Sequence, residues 1–142
     1  MAFRWIHESP PVWDAGKARV IGAAPKGVFN LGALGPGGDR TVLPGDWWRV
    51  EDGAETIAYG QMDHSWGDAE VLLAVDPQRQ KGGVGTFILD RLEEEAHARG
   101  INYLYNVVPD GHPDHDGLTR WLQRRGFEAS KEGGLLRRPV RR

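Results

Sequence analysis

Hydrophobic positions are most regularly spaced in the middle of the chain, where a short apolar run is followed by an amphipathic segment. Residues 69–75 are almost continuously apolar, which predicts a short buried strand. Residues 84–99 place apolar side chains at helical spacing with Glu and Arg between them, which predicts a helix that Gly100 ends. Residues 76–86, Asp-Pro-Gln-Arg-Gln-Lys-Gly-Gly-Val-Gly-Thr, connect the two. The pattern therefore predicts a strand, a glycine-rich turn and the N-terminus of a helix, in that order.

The remaining pattern predicts hairpins and helical crossovers in one chain. Asp52-Gly53 supplies the positive φ of a tight turn between two β-rich segments, which predicts a hairpin. Residues 22–45, rich in Gly and Pro, are interpreted as an irregular loop that covers a substrate, and residues 63–67 as a polar loop. Further strands are predicted at 3–8, 47–50, 56–62, 101–108 and 135–136, and further helices at 12–21 and 116–125. Hairpins together with strand–helix–strand connections indicate an α/β fold, with a mixed sheet and helices on its faces.

Composition indicates an ordinary globular protein. The 142 residues suffice for one domain, predicted to span 1–142, with a net charge of -2 and 39% apolar residues. A chain without a global basic field is not expected to bind nucleic acid. No apolar run is long enough to span a membrane and no signal-peptide pattern is present, so no membrane partner is expected. Cysteine is absent, which excludes disulfides and thiolate chemistry and is compatible with the predicted cytoplasmic location.

The glycine-rich turn is of the kind that meets an anion, because a helix N-terminus offers free backbone N–H groups and the positive end of the helix dipole. A P-loop would need Gly-Lys-Ser/Thr, but Lys81 precedes the glycines. A dinucleotide-binding turn would need a third glycine at the position of Ile88. What remains is Gln80-x-x-Gly83-x-Gly85. A tight strand-to-helix turn without any ligand accounts for the same glycines.

Several segments together resemble the GNAT acyltransferase superfamily. Val75-Asp-Pro-Gln-Arg-Gln80 resembles the exit of that family's fourth strand, and Gln80-x-x-Gly83-x-Gly85 resembles its pyrophosphate-binding motif. Trp121-Leu-Gln-Arg-Arg-Gly-Phe127 resembles a motif of the family's last helix, and the Asp-Gly hairpin matches its second and third strands. The resemblance implies the α+β GNAT fold, a single mixed and mostly antiparallel sheet flanked by helices.

The resemblance also implies an activity and a cofactor. Members transfer an acetyl group directly from acetyl-CoA to a primary amine, so we expect an N-acetyltransferase with a small-molecule or peptide acceptor, as a monomer or homodimer. Strand backbone would hold the pantetheine and the thioester, and N–H groups and side chains of the turn would hold the pyrophosphate. His115 stands where many members carry an Asn and is included in the set. The implied cofactor-binding residues are Leu73, Ala74, Val75, Gln80, Lys81, Gly82, Gly83, Val84, Gly85, Thr86 and His115.

The catalytic groups match the family less well. Members commonly carry a Tyr proton donor four residues before the Gly-Phe pair, where this chain has Leu122, which has no proton to give a departing thiolate. An alkylammonium acceptor has no lone pair until it loses a proton, so a base is needed. Glu70 and His64 are the candidates, with Asp63 beside them. A solvated strand-end carboxylate and an exposed loop histidine account for Glu70 and His64 without catalysis.

Two further alternatives stay open at this point. His112-Pro-Asp-His-Asp116 contains metal-ligating residue types, but a helix N-cap by Asp114 or Asp116 accounts for the same residues, and no metal is predicted. The rival class of function is a non-catalytic GNAT-fold module that binds acyl-CoA or mediates assembly. Leu122 at the usual acid position favours that rival.

Overall fold

A computed structural model describes residues 3–22, 42–80, 82–108, 112–129 and 135–140. Most of the segment interpreted as a substrate-covering loop, and Lys81, lie outside the described residues. The strands are β1 (Phe3–Glu8), β2 (Asp46–Asp52), β3 (Glu55–Ser65), β4 (Asp68–Val75), β5 (Tyr103–Val107), β6 (Glu128–Ala129) and β7 (Leu135–Pro139). The helices are α1 (Ala15–Val20), α2 (Val84–Ala98) and α3 (His115–Arg124), and Pro77–Arg79 form a 3₁₀ turn.

The strands form one sheet in the order β1-β2-β3-β4-β5-β7-β6. Neighbouring strands are antiparallel except for β4 and β5, which run parallel and are connected by α2. A parallel pair needs a crossover of this kind, whereas an antiparallel pair needs only a turn. The predicted mixed, mostly antiparallel sheet flanked by helices is confirmed. In the part of the chain that the structure describes, no helix is long and apolar enough to cross a membrane.

Alternation along the strands assigns each side chain to one of two sheet faces. On the first, called here the α2 face, α2 and α3 bury a large apolar cluster that includes Val71, Ile88 and Leu122. On the second, the α1 face, α1 packs on a smaller cluster that includes Tyr59 and Ala74. Both faces of the sheet are therefore covered in part by helices, and β4 contributes to both clusters.

The connection between β3 and β4 differs from the prediction. The expected polar loop at 63–67 is wrong, because β3 continues to Ser65 and its register with β4 reaches Asp68. Only Trp66 and Gly67 form the turn, with φ values of 54° and 86°. Left-handed φ at both positions is what a two-residue type I′ hairpin requires. The last three residues of β3 are all exposed, so this strand end lacks the apolar alternation that predicts a strand.

Other boundaries shift for local reasons. The Asp52-Gly53 hairpin is confirmed, with Gly53 at a φ of 63°. The predicted helix at 12–21 is shorter, because Asp14 is its N-cap and its side chain accepts a hydrogen bond from the backbone N–H of Lys17 at 2.9 Å. β7 extends to Pro139, beyond the predicted 135–136. β6 was not predicted, since two exposed residues carry no periodic pattern.

Candidate active site

The sheet opens between β4 and β5. Among the described residues, these strands pair only through Asp68–Glu70 and Tyr103–Tyr105, although β4 continues to Val75. Where the pairing ends, Nδ2 of Asn106 donates a hydrogen bond to the carbonyl oxygen of Val71 at 2.7 Å. Beyond this bridge the two strands border an opening, called here the β4–β5 groove.

Backbone direction alternates along β4, so every second residue turns its N–H and C=O toward the groove. The Val71 carbonyl faces β5, whereas the Asp76 N–H donates a hydrogen bond into β3 at 2.8 Å. By this alternation Leu73 and Val75 present backbone groups to the groove, and Ala74 directs its own to β3. Of the three β4 residues expected at the pantetheine, Leu73 and Val75 therefore face the groove and Ala74 does not.

The groove leads to the N-terminus of α2. A 3₁₀ turn follows β4, begun by Asp76, whose Oδ1 accepts a hydrogen bond from the backbone N–H of Gln78 at 3.0 Å. Gly83 is the N-cap of α2 with a φ of 78°, and no side chain caps the helix. The first N–H groups of a helix have no intrahelical acceptor, so those of Val84 to Thr86 are available to a ligand. Gln80 lies beside them, with Nε2 3.4 Å from the carbonyl oxygen of Val75.

Ion pairs hold this turn in place from two sides. From α1, the guanidinium of Arg19 pairs with Asp76, and it donates a second hydrogen bond to the carbonyl oxygen of Thr56 at 2.6 Å. From the turn itself, Arg79 pairs with Asp52 of the β2–β3 hairpin. The start of α2 is therefore positioned by contacts to α1 and to the hairpin as well as by its own backbone.

Arg125, which no sequence motif marks, also lies at the start of α2. Its Nε and Nη2 donate hydrogen bonds to Oγ1 of Thr86 at 3.1 and 2.9 Å, and its guanidinium lies 3.9 Å from the centroid of the Trp121 ring. Burial and the charge of Arg124 lower the pKa of Arg125. The i, i+4 spacing of Trp121 and Arg125 on one helix was the available signal.

Gly85 shows why α2 and α3 approach closely here. A Cβ added at Gly85 would lie 3.0 Å from Cζ2 of Trp121, which is too close for an ordinary contact. At Gly83 an added Cβ meets no atom within 4 Å. Gly85 is thus explained by helix packing, whereas open space lies beside Gly83 at the helix N-terminus.

A row of ionisable side chains crosses the α1 face at the closed end of the groove. Glu70 is paired in register with Asp63 of β3 and with Tyr105 of β5. Burial raises the pKa of Glu70, and the charge of Asp63 raises it further. Burial also raises the pKa of Tyr105, with contributions from Glu70, Asp63 and Asp68. The register of β3, β4 and β5 therefore brings the three residues side by side on this face.

The other predicted site residues lie elsewhere. His64 follows Asp63 on β3, is exposed, and points to the other face of the sheet. It pairs with Ala69, whose side chain belongs to the α2 face. The two candidate bases therefore lie on opposite faces of the sheet. Leu122 is 3% exposed and belongs to the α2-face core, so it contributes no proton donor.

His115 and its neighbours begin α3. Nδ1 of His115 lies 3.3 Å from the carboxylate of Asp116, and Nδ1 of His112 accepts a hydrogen bond from the backbone N–H of Asp114 at 2.9 Å. Asp114 occupies the N-cap position, but its side chain makes no capping hydrogen bond. Among the described residues, no three His, Asp or Glu side chains are grouped to hold a metal ion.

Comparison with known proteins assigns the chain to a family. A sequence model of the acetyltransferase (GNAT) domain matches residues 44–129, more than half of the chain. The chain belongs to the GNAT acetyltransferase family. The matched GNAT region runs from the start of β2 to the end of β6 and includes the β4–β5 groove and the N-terminus of α2.

Individual relatives differ in length from this GNAT chain. It is 35% identical over 108 residues to a mycothiol acetyltransferase of Geodermatophilus obscurus, covering 75% of this chain and 32% of that protein. The chain thus spans about a third of the length of this curated relative.

Solved structures show the same fold. A putative GNAT acetyltransferase from Desulfovibrio desulfuricans has a TM-score of 0.60 at 18% identity, over 68% of this chain and 69% of that one. N-acetylglutamate synthase from Neisseria gonorrhoeae, complexed with coenzyme A and L-arginine, has a TM-score of 0.58 at 21% identity, over 68% of this chain and 25% of that one.

Proposed function

We propose that this GNAT chain is an acyl-CoA-dependent N-acetyltransferase, which transfers the acetyl group of acetyl-CoA directly to a primary amine. One observation carries the proposal: the β4–β5 groove begins at a half-buried carboxylate and ends at an uncapped helix N-terminus. A donor with a pyrophosphate at one end and a thioester at the other matches this order. The family match and the relative named as an acetyltransferase support the same activity.

The residues present fit coenzyme A. The backbone groups of Leu73 and Val75 face the groove and would hold the pantetheine amides. The free N–H groups at the start of α2 and the open space beside Gly83 would receive the pyrophosphate. Gln80 and Arg125 lie beside that site and can donate hydrogen bonds. Lys81, Gly82 and His115 are also proposed to contact coenzyme A.

Glu70 is the proposed base. It lies on the α1 face where the groove begins, and its half-buried carboxylate has a raised pKa, so it accepts a proton more readily than a solvated carboxylate does. Asp63 adds a negative charge beside it, which attracts a cationic amine. His64, on the opposite face, does not share this position. The acceptor would therefore approach from the α1 face.

We also propose a cytoplasmic location, which fits a chain without cysteine.

The cofactor assignment is tested by two matched variants of Gly83. Asn and Asp tolerate the left-handed conformation of this position better than other side chains do, and they have nearly the same shape. Gly83→Asp adds a negative charge at the pyrophosphate site and should weaken coenzyme A binding at least tenfold, about 1.4 kcal/mol or more. Gly83→Asn should weaken it much less. Calorimetry on both folded variants measures the difference, and equal affinities for the two would refute the assignment.

A second candidate function is a non-catalytic module that binds acyl-CoA or mediates assembly, as a monomer or homodimer. The observation that favours it is the burial of Leu122 where many GNAT members carry their acid. Thiol release from acetyl-CoA across a panel of amines decides between the two. Tight coenzyme A binding with no release for any amine would support the module.

A further inference from the structure

Leu122 stands where many GNAT members carry the acid that protonates the leaving thiolate, so a proton donor would have to come from another part of the site. Leu122 is 3% exposed and surrounded by the core of the α2 face, so α3 presents an apolar side chain at that position. The row of ionisable groups on the α1 face contains one neutral proton donor, the phenol of Tyr105.

We propose that Tyr105 donates a proton to the sulfur that leaves the acetyl group. The inference rests on the proposed acetyltransferase activity and adds one residue to its site. Nothing in the motifs of the sequence marks Tyr105, because its place in the site comes from the register of β5 against β4.

The register places Tyr105 at the start of the β4–β5 groove. Glu70 and Tyr105 form the last parallel pair before the strands separate. Leu104 is buried in the α2-face cluster, so alternation puts Tyr105 on the α1 face, beside Glu70. Asn106 follows directly and bridges to Val71 of β4 at 2.7 Å, which holds β5 against β4 at this point. The phenol therefore belongs to a part of β5 that is held in place.

The protonation states of Tyr105 and Glu70 complement each other. Tyr105 is half-buried and its neighbours on the row are carboxylates, and both circumstances raise its pKa. The phenol therefore stays protonated at neutral pH and is available as a donor. Glu70 ionises at lower pH and acts as the acceptor, so the row offers one group for each proton transfer.

The proton balance closes with these two groups. Glu70 takes one proton from the acceptor ammonium, which frees the amine lone pair. As the N–C bond forms and the C–S bond breaks, the sulfur takes the electron pair of the broken bond and the phenol proton of Tyr105. The nitrogen, positively charged after attack, loses a second proton, which returns the tyrosinate to the phenol. Glu70 releases its proton to water, so the products are the amide, the free thiol and one proton.

Tyr105→Phe removes the hydroxyl and keeps the ring. Tyr103→Phe is the matched control, because Tyr103 lies two residues earlier on the same face, where its ring contacts the guanidinium of Arg137 at 4.2 Å. We expect Tyr105→Phe to lower kcat with acetyl-CoA by roughly 100-fold, with unchanged coenzyme A affinity by calorimetry and unchanged thermal unfolding. Tyr103→Phe should leave kcat near the wild-type value.

A change of leaving group separates acid catalysis from a structural effect. The acetyl ester of an aryl thiol releases a stable thiolate that needs no proton, so wild type and Tyr105→Phe should transfer from it at similar rates. An equal loss with the aryl and the alkyl thioester would refute the role of Tyr105, as would an unchanged kcat with acetyl-CoA or a loss explained by coenzyme A affinity. Wild-type protein that binds coenzyme A but releases no thiol would overturn the proposed function itself, and this role with it.

Discussion

Each face of the sheet buries an ion pair, but the surroundings of the two pairs differ. On the α2 face, Arg138 of β7 pairs with Glu93 of α2 at 3.0 Å, beside the closely packed apolar cluster. On the α1 face, Lys17 of α1 pairs with Glu8 of β1 at 2.5 Å, and its ammonium also lies 4.9 Å from the centroid of the Tyr59 ring.

Further titratable groups distinguish the α1 face. Arg49 approaches the same Glu8 carboxylate at 3.5 Å, and the row of Asp63, Glu70 and Tyr105 crosses this face at the groove. Helices pack on both faces, but the α1 face also holds the charged row that the proposed amine acceptor would approach. We therefore expect substitutions of buried charge on the α2 face to change stability, and substitutions in the row on the α1 face to change activity.

The largest expected effect is on the α2 face. Glu93→Ala leaves the Arg138 guanidinium buried without its carboxylate, and both side chains are less than 10% exposed. Breaking such a pair costs about 3–5 kcal/mol of the free energy of unfolding. Glu94→Ala is the matched control on the next residue of α2, because its pair with Arg91 at 3.2 Å is exposed and contributes about 0.5 kcal/mol or less. Urea denaturation measures both, and similar losses would contradict the difference between buried and exposed pairs.

The next effect is on the α1 face and concerns rate. Glu70→Gln should lower kcat/KM by about two orders of magnitude at pH 7 while coenzyme A affinity and fold are retained. Asp68→Asn, two residues earlier on the same strand and face, is the control and should change kcat/KM little. An intact rate in Glu70→Gln at every pH would place the base elsewhere, and His64→Gln would be the next variant to measure.

The pH profile follows from the sign of the pKa shift of Glu70. Only the ionised carboxylate accepts a proton, and burial raises the pKa of Glu70. Wild-type kcat/KM should therefore rise with pH, with a midpoint above the pKa of a free glutamate. The difference between wild type and Glu70→Gln should vanish at low pH, where Glu70 is already protonated. It should also shrink at high pH, because a free amine needs no base.

The smallest effect is at the hairpin turn between β3 and β4. Trp66 is 99% exposed and has a φ of 54°, which is unfavourable for a bulky side chain. Trp66→Asn produces the Asn-Gly pair that type I′ turns prefer, so we expect stabilisation of roughly 0.5–1 kcal/mol. Thermal unfolding measures it, and a lower melting temperature would mean that the indole contributes contacts that its exposure does not reveal.

Local patterns were enough to predict most of the fold. The apolar run of β4, the helical spacing of α2 and the positive φ at Gly53 each depend on a few neighbouring residues. The turn at Trp66 was missed because exposed polar residues at the end of β3 hide its strand character. The family resemblance supplied the cofactor, and the glycines alone did not distinguish a ligand site from a tight turn.

The candidate site was less predictable, because its members meet through register and packing. Glu70 and Tyr105 are neighbours only because two parallel strands pair across a long crossover. Arg125 reaches Thr86 only because Gly85 lets Trp121 approach α2. Glu70 and His64 face opposite ways because β3 continues through Ser65, in a segment whose polar residues predict a loop.

The short parallel pairing of β4 and β5 also has a consequence for how the chain folds. β2, β3 and β4 are joined by two tight turns and form contacts between residues close in sequence, whereas β5 pairs with β4 across the α2 crossover. Contacts between distant segments form later on average, because chain entropy must be lost before they contribute. We expect pulsed amide exchange to show protection of β3 before β5, and simultaneous protection would contradict this order. The groove would then form only after β2, β3 and β4 have already paired with one another.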